Sequence, residues 1–492
     1  MKNVPVVKLG IIAVSRDCFP VELSIRRRRA VAAACLKKKI DIVECETTVE
    51  NENDALRALA EAREKGVNAL VVFLGNFGPE GPTSLMAQRF DGPVMVAAAA
   101  EESHNDLIQG RGDAYCGMLS NSYNNGLRKL RLYVPEYPVG DSEEVAEMIR
   151  EFVPVARVLL GIKGLKIFSF GPRPQDFLAC NAPIKPLYDL GIEIMENSEL
   201  DLYDICQAAK EDPLVKSTMD SMSQELGAGN TYPELVERLA WYEVALRRFM
   251  EKHLGASRFG IFANKCWPSF QKYFGHVPCF INGRLAAEGI PVSCEVDIYG
   301  ALSEYMAACA TLRPPTLLDI NNTVPKDMIQ ANRAQMKEYK PTDLFMGFHC
   351  GNVSSSCMIK PSIQYQLIMH RLLEPDKPPT ITRGTLEGRI QVGPITLFRL
   401  QSTADTQLKS YLAQGEVLDI DPRSFGGIGV FAVKEMGRFY RHVLIGKRFP
   451  HHTAVAFAHA GKALFSAVKV LGVMDVSYNQ PADRPYVEEN PF

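Results

Sequence analysis

Short, uninterrupted apolar runs separated by helix-like segments are the feature that most restricts how this chain can fold. The runs VVKLGIIAVS, ALVVFLGN and PVMVAAAA all fall within residues 1–162, and segments such as ENDALRALAEAREKG lie between them. Strands that are apolar along their whole length are buried on both faces, which is typical of a parallel sheet covered by helices. The pattern therefore predicts a doubly wound N-terminal α/β domain over residues 1–162.

The same alternation continues into a second region and then stops. GLKIFSFGP, GIEIMENS, FGIFANKC, PVSCEV, PTLLDIN and DLFMGFHCG have the character of strands, and they predict a second doubly wound α/β domain over residues 163–351. After that, TITRGTLEGRIQVGPITLFRLQS, YLAQGEVLDI and GGIGVFAVK combine β-branched residues and glycine turns with no helix between them. This change predicts a C-terminal β-rich, barrel-like domain over residues 352–492, closed by a helix.

Composition and charge exclude several classes of protein. The 492 residues include 55 Lys and Arg against 57 Asp and Glu, so charge gives no reason to expect nucleic acid or an anionic membrane as a partner. No apolar run approaches the ~20 residues that a membrane-spanning helix needs. The N-terminal apolar stretch is short and interrupted by Lys8, so we interpret it as a first strand and not as a signal peptide.

The twelve cysteines are scattered singly, and none forms a CxxC pair. This usage favours a reducing cytoplasm and argues against a disulfide framework or a zinc ribbon. The glycine-rich segments GPEGP and GGIG match neither a dinucleotide fingerprint nor a P-loop, and no GxSxG is present. Nicotinamide and nucleotide triphosphate chemistry therefore have no support in the sequence.

Two carboxylates stand at the ends of predicted strands in the second domain. Glu295 follows the segment PVSC, and Asp319 follows PPTLL. A strand of a parallel sheet that ends in a carboxylate presents it at the carboxyl edge, where α/β proteins bind ligands. With the His349 and His452 segments further along the chain, the pair predicts an O,O,N site for a divalent metal or a site for acid–base chemistry.

Each of these residues also has an interpretation without a function. Glu295 can be a helix cap or a buried ion-pair partner, although Asp297 is placed to cap the following helix and so to leave Glu295 free. Asp319 lies in LLDINN, which can form an Asx turn. His349 can be a hydrogen-bonded core histidine.

His451 and His452 are adjacent in the segment FPHHTA. Neighbouring side chains of an extended segment point to opposite faces, so we expect only one of the two to face a given site. The alternative is a pair of histidines on the surface.

Six segments taken together carry a family resemblance. They are SRDCFP (15–20), RGDAYCG (111–117), CEVDIYGALSEYMA (294–307), LLDINN (317–322), GFHCGN (347–352) and FPHHTA (449–454). In these motifs and their order the chain resembles the L-fucose isomerase and L-arabinose isomerase superfamily, and it is more similar to the fucose isomerases. The resemblance implies two α/β domains followed by a β-rich domain.

The resemblance also implies an activity and a set of site residues. The activity is aldose–ketose isomerisation of an open-chain monosaccharide through a cis-enediol, with Glu295 and Asp319 as the acid–base pair. A Mn²⁺-type ion, or Mg²⁺ or Co²⁺, would be held by Glu295, Asp319 and His452. A homo-oligomer, namely a hexamer, is implied, in which Arg16 approaches the active site of an adjacent subunit. The expected substrate-binding residues are Arg16, His349, Asn352 and His451.

Other functions remain open on the sequence. The same site fits another metal-dependent sugar enzyme, such as an epimerase or a lyase. Two α/β domains around a cleft also describe non-catalytic sugar-binding proteins, although the metal-type cluster argues against them. The sugar itself is open among L-fucose, D-arabinose, L-arabinose and a hexose that carries an anionic group at C6.

Overall fold

A computed structural model describes residues 1–490 of the chain. The chain divides into two compact units. Unit 1 comprises residues 1–4, 161–465 and 473–492, and unit 2 comprises residues 5–160 and 466–472. The division into three domains with boundaries after residues 162 and 351 stays a prediction.

Unit 2 is built on a parallel sheet, as the apolar runs predict. The sheet has five strands in the order β2-β1-β3-β4-β5, and β1, β3 and β4 are buried at every position. Its strands are β1 (Leu9–Val14), β2 (Ile42–Glu44), β3 (Ala69–Leu74), β4 (Val94–Ala99) and β5 (Val139–Gly140). The helices are α1 (Val21–Lys37), α2 (Glu52–Glu64), α3 (Glu80–Arg89), α4 (Ala114–Leu127) and α5 (Ser142–Lys163), the last of which continues into unit 1.

Unit 1 begins with a second parallel sheet of four strands in the order β7-β6-β8-β9. The strands are β6 (Leu165–Gly171), β7 (Glu193–Ser198), β8 (Phe259–Ala263) and β9 (Val292–Ser293). The helices are α6 (Lys185–Asp189), α7 (Glu199–Ala208), α8 (Leu214–Leu226), α9 (Val236–His253), α10 (Phe270–Phe274), α11 (Cys279–Ala287) and α12 (Ile298–Thr311). The two doubly wound layers that the sequence predicts are therefore present.

The rest of unit 1 is a mixed sheet of nine strands, and part of it closes into a barrel. The strands are β10 (Pro315–Asn322), β11 (Leu344–His349), β12 (Met358–Tyr365), β13 (Arg383–Ile390), β14 (Gly393–Ser402), β15 (Leu408–Val417), β16 (Gly427–Ala432), β17 (His452–Ala456) and β18 (Asp475–Tyr478). The helices are α13 (Lys326–Ala331), α14 (Leu367–Leu373), α15 (Met436–Phe439) and α16 (Gly461–Val470), and residues 466–470 of α16 belong to unit 2. Because β15 pairs with both β14 and β16, the strands β10, β11, β16, β15, β14 and β17 form a closed ring. The barrel-like character that the sequence predicts is confirmed.

The strand that carries Asp319 belongs to this barrel and not to a parallel sheet. β10 runs antiparallel to both of its neighbours, β11 and β17. The expectation that Asp319 stands at the carboxyl edge of the second parallel sheet is therefore wrong. An apolar strand looks the same in sequence whether it is buried in a parallel sheet or in a barrel wall, because both environments cover its two faces.

Helix α12 connects the two sheets of unit 1. Every residue from Ile298 to Cys309 is buried, and the helix packs against β8 and β9 as well as against β10, β14 and β17. A fully buried Leu302 or Met306 contributes about 1.5–3 kcal/mol each relative to exposure. The helix therefore fixes the turn that precedes it, which holds Glu295, against the barrel strands that hold Asp319 and His452.

No helix within residues 1–490 has the length and apolar character needed to cross a bilayer.

Candidate active site

Glu295 lies in a turn between β9 and α12 whose backbone is in an unusual conformation. Glu295 has φ +52° and Val296 has φ +56°, in the left-handed region that a β-branched residue rarely adopts. Each such residue costs about 1–3 kcal/mol and persists where its surroundings determine it. Here the amide of Val296 donates to the carbonyl of Asn264 over 2.9 Å, and Asp297 caps α12 by accepting from the amide of Gly300 over 2.8 Å. The sequence prediction that Asp297 is the cap is confirmed.

The other predicted ligands come from neighbouring barrel strands. Asp319 on β10 stands directly opposite His452 on β17 and opposite Phe348 on β11. His349 is the last residue of β11. The barrel therefore brings together three segments that are far apart in the chain.

Four side chains converge on a small volume. The Oε2 atom of Glu295 lies 3.3 Å from Nε2 of His452 and 3.8 Å from Nε2 of His349. The Oδ1 atom of Asp319 lies 3.5 Å from the same Nε2 of His452. His452 and His349 are buried, and the side chains of Glu295 and Asp319 are 13% and 21% exposed, so the carboxylates remain open to a small ligand.

Both adjacent histidines reach this cluster, which differs from the prediction. Nε2 of His451 lies 3.8 Å from the same Oδ1 of Asp319 that His452 approaches. Strand β17 begins at His452, so His451 precedes the extended segment and does not follow its alternation. The expectation that only one of the two faces the site is wrong for this reason.

A further carboxylate, that of Asp297, orients His452 through its other ring nitrogen, Nδ1. Oδ2 of Asp297 lies 2.8 Å from Nδ1 of His452, and Arg399 donates to both oxygens of Asp297 over 2.6 and 2.9 Å. Arg399 and Asp297 are 0% and 1% exposed. Because an ionised carboxylate only accepts hydrogen bonds, Nδ1 of His452 carries a proton. Nε2 then faces Glu295 and Asp319, which is the arrangement seen in carboxylate–histidine–metal triads.

The charges in the cluster shift the pKa values of its members. Burial alone would raise the pKa of Glu295, but His349 and His452 outweigh it and hold the pKa of this carboxyl well below its usual range. Burial alone would lower the pKa of His452, but Asp297 and Cys180 raise it well above the usual value. The carboxylate is therefore ionised at neutral pH, and a cation bound at Nε2 of His452 would replace a proton.

Phe177 and Cys180, both in unit 1, pack against the adjacent histidines. The ring of Phe177 lies edge-on to His451 with 5.4 Å between centroids, and it also contacts Trp267 at 6.3 Å. Sγ of Cys180 lies 3.5 Å from Nδ1 of His452. Phe177, Cys180 and the role of Arg399 were not predicted from the sequence. Phe177 and Cys180 lie in an irregular segment with no motif, so no pattern pointed to them.

Asn352 and Arg16, which the sequence predicts to bind substrate, belong to different units. Asn352 is buried, and its Nδ2 donates to the carbonyl of Leu317 on β10 over 3.4 Å, while its Oδ1 has no hydrogen-bond partner within residues 1–490. Arg16 belongs to unit 2, where its guanidinium lies 4.9 Å from the ring centre of Phe77 and 3.8 Å from Glu80. The roles predicted for both remain predictions.

The donor set fits a hard divalent cation. Oε2 of Glu295 and Oδ1 of Asp319 are buried, and within the described part of the chain neither accepts a hydrogen bond. Buried carboxylate oxygens without a partner are costly, so these two oxygens favour a positively charged ligand. Two carboxylates and an imidazole suit Mn²⁺, Mg²⁺ or Co²⁺. Cys294 also lies within 4.8 Å of Glu295 and His349, but a hydrogen bond with Cys266 together with burial raises the pKa of its thiol, so it is a poor ligand for such an ion.

Comparison with known proteins identifies the family. Residues 10–163 match the profile described as Fucose/sulfoquinovose isomerase, N-terminal domain, and residues 347–478 match that of L-fucose isomerase, C-terminal domain. The chain belongs to the fucose isomerase-like superfamily. The resemblance drawn from the sequence motifs is thereby confirmed.

Curated relatives of this superfamily are similar to most of the chain. A sulfoquinovose isomerase of Alkalicoccus urumqiensis is 25% identical over 330 residues, which is 66% of this chain and 67% of that protein. A sulfoquinovose isomerase of Priestia aryabhattai is 24% identical over 345 residues, or 69% of this chain and 70% of that protein. One of Clostridium sp. (strain MSTE9) is 24% identical over 356 residues, or 70% and 72%. The similarity supports a sugar isomerase and leaves the sugar to be tested.

Proposed function

We propose that this protein is a divalent-cation-dependent aldose–ketose isomerase. The observation that carries the proposal is the convergence of Glu295 and Asp319 on Nε2 of His452, with a carboxylate oxygen of each lacking a hydrogen-bond partner in the described residues. Glu295, Asp319 and His452 would hold the cation, with His349 beside them. When bound, the cation would act as a Lewis acid that polarises the carbonyl of the open-chain sugar and stabilises negative charge on its oxygen.

The two carboxylates would carry the proton transfers. One of them takes the proton from C2 of the aldose, while the other moves the hydroxyl proton from O2 to the carbonyl oxygen O1, which gives a cis-enediol in its singly deprotonated form. The proton taken from C2 is then delivered to C1, and the ketose results with all atoms conserved and both carboxylates ionised again. General acid–base catalysis of this kind contributes roughly 10²–10⁴-fold. Ionised Glu295 is in the protonation state that a base requires.

The residues around the carboxylates would orient the substrate. His451 is partly exposed next to Asp319, and burial lowers its pKa, so it is neutral at pH 7 and can donate or accept one hydrogen bond. Asn352 offers a buried Oδ1 that has no hydrogen-bond partner among residues 1–490. Phe177 over the histidines would exclude water from the enediol.

The first substrate to test is a hexose with a sulfonate at C6. The curated relatives are named sulfoquinovose isomerases, and a C6-modified hexose is one of the substrates that the sequence leaves open. L-fucose, D-arabinose and L-arabinose complete the panel. A homohexamer, in which Arg16 of one subunit approaches the site of another, is part of this proposal. Mass photometry of the purified full-length chain would measure the oligomeric state.

Proton NMR in D₂O tests the reaction class. Cation-stripped protein is compared with protein resupplied with Mn²⁺, and samples are quenched with EDTA and freed of metal before spectra are recorded. An isomerase gives ketose with deuterium at C1, and aldose with deuterium at C2 in the reverse direction, only when Mn²⁺ is present. A C2-epimeric aldose without ketose would instead indicate an epimerase, and binding without turnover would contradict the proposal.

Substitution of Glu295 by Gln tests its assignment. Glu295→Gln keeps the size of the side chain but removes the charge, so we expect turnover to fall by at least about 10²-fold while the fold is kept. Glu288→Gln is the matched control, because Glu288 is a partly buried carboxylate paired with Arg247 and not with the histidines. A folded, cation-loaded Glu295→Gln protein with near-normal turnover would refute the assignment.

A further inference from the structure

A second pocket in unit 1 has a composition unlike that of the candidate active site. It has a volume of about 480 Å³, within the range of small-molecule sites, and lies between α7, α9 and α10. Its wall includes Trp241, Tyr203 and Tyr273, and Tyr273 is 67% exposed. Aromatic rings exposed in a concave site are surfaces on which a ring of a ligand can stack.

Three cations line the same pocket. Lys210, Arg238 and Lys272 are all exposed, and no Asp or Glu is among the lining residues within the part of the chain that is described. None of the three forms an ion pair with a carboxylate in residues 1–490. Arg238 has one long contact with the carbonyl of Gly275 at 3.5 Å, and the ammonium of Lys210 lies 5.1 Å from the ring centre of Trp241.

The positive charge of the pocket is local, and the composition of the whole chain does not account for it. The whole chain has 55 basic and 57 acidic side chains, so acids are available to pair with surface cations. His276 at the floor adds no charge, because burial lowers its pKa to about 4. A concave site with cations of one sign concentrates anions, and Arg and Lys are the usual partners of phosphate oxygens.

The pocket is distinct from the candidate active site. Its floor is Tyr242, which is 1% exposed and accepts a hydrogen bond from the side-chain amide of Asn264. Asn264 in turn accepts from the amide of Val296, the residue after Glu295. A buried tyrosine and an asparagine therefore separate the pocket from the carboxylate.

From these contacts we propose that the pocket is a second ligand site, for a small phosphorylated molecule whose ring stacks on Trp241 and Tyr273. The three cations bind the phosphate, and the aromatic wall binds the ring. The inference does not depend on the proposed isomerase activity, since it uses none of the residues of that site.

Quenching of tryptophan fluorescence tests the proposal on the full-length protein. The chain has two tryptophans, Trp241 in the pocket and Trp267 near the candidate active site, so Trp241→Phe identifies the source of the signal. The probes are AMP (ring and phosphate), glucose 6-phosphate (sugar ring and phosphate), inorganic pyrophosphate (anion alone) and adenosine (ring alone). We expect saturable quenching by at least one of the two ring-bearing phosphates, and weaker binding of pyrophosphate and adenosine.

Charge-reversal substitutions distinguish binding at this specific site from nonspecific electrostatic attraction of an anion to the protein surface. Lys210→Glu, Arg238→Glu and Lys272→Glu should each weaken binding of the best probe by about tenfold or more, because each replaces a charged hydrogen-bond donor with a repelling carboxylate. Lys252→Glu is the matched control, since Lys252 is an exposed lysine near the end of α9 outside the pocket. No saturable binding of any probe at millimolar concentration, or an equal loss in the Lys252 control, would overturn the proposal.

Discussion

Replacing Asp297 by Asn should weaken cation binding, because Asp297 is the hydrogen-bond partner of Nδ1 of His452. Asp297 accepts four hydrogen bonds, from Gly300, from both terminal nitrogens of Arg399 and from Nδ1 of His452. An amide has one oxygen and a donating NH₂, so at least one of these contacts becomes donor against donor. Nδ1 of His452 then loses the acceptor that fixes its proton, and Nε2 is no longer fixed as the nitrogen that binds the cation.

The substitution has two expected effects, one on metal affinity and one on the free energy of unfolding. Loss of an outer carboxylate partner of a metal-ligating histidine typically costs about 10–100-fold in metal affinity, or roughly 1.4–2.7 kcal/mol. The same substitution leaves Arg399, which is 0% exposed, without its counter-charge, and breaking a buried pair costs about 3–5 kcal/mol of stability. The stability term is larger, so metal affinity must be measured well below the unfolding temperature of the variant.

Isothermal titration with Mn²⁺ and urea unfolding measure the two parts separately. Glu243→Gln is the control, because Glu243 is equally buried and pairs with Arg247 and Arg284 away from the histidines. We expect both variants to lose stability, and Asp297→Asn alone to lose Mn²⁺ affinity. Adding Arg399→Met to Asp297→Asn removes the unpaired charge, so it should recover stability and not affinity. A folded Asp297→Asn protein that binds Mn²⁺ as tightly as the parent would refute the reasoning.

Two further predictions concern stability. Burial raises the pKa of Glu304 on α12 to about 8 from its usual 4.5, so the native state holds this proton more tightly than the unfolded chain does, and the free energy of unfolding falls as pH rises between those values. Glu304→Gln should remove this dependence, and the difference between variant and parent in urea unfolding should grow to at most about 5 kcal/mol above pH 8; a difference independent of pH would contradict it. Mn²⁺ at 100 times its dissociation constant should stabilise the parent by about 2.7 kcal/mol, and EDTA should reverse the effect. Asp319→Asn should lose most of this gain in differential scanning fluorimetry, whereas an undiminished gain would argue against Asp319 as a ligand.

Local sequence signals predicted the elements and most of the site residues. Apolar runs identified β1, β3 and β4 because these strands are buried along their whole length. Glu295 and Asp319 were found because each follows an apolar run, and the structure brings both to His452. In these cases the residues that determine the local structure lie within a few positions of each other in the sequence, so a sequence pattern can detect them.

Contacts between distant segments were not predictable in the same way. The sheet to which Asp319 belongs depends on its pairing with β17, more than a hundred residues along the chain, and an apolar strand does not specify its partner. Asp297 was correctly predicted as a cap, but its second oxygen serves Arg399, which is 102 residues away. His451 reaches Asp319 because the strand begins one residue later, and strand ends are the least certain part of any pattern.

The pairing of β10 with β17 makes the spacing of the candidate ligands a property of the backbone. Asp319 and His452 are direct cross-strand partners, so their separation follows from the strand spacing of about 4.7–4.9 Å and not from any loop. Deleting or inserting one residue within β17 would turn His452 to the opposite face of the barrel wall and bring a neighbour into its place. During divergence or engineering, the loops that carry no ligand can change in length, while the ligand-bearing strands and the turn that holds Glu295 accept substitutions but no change in length.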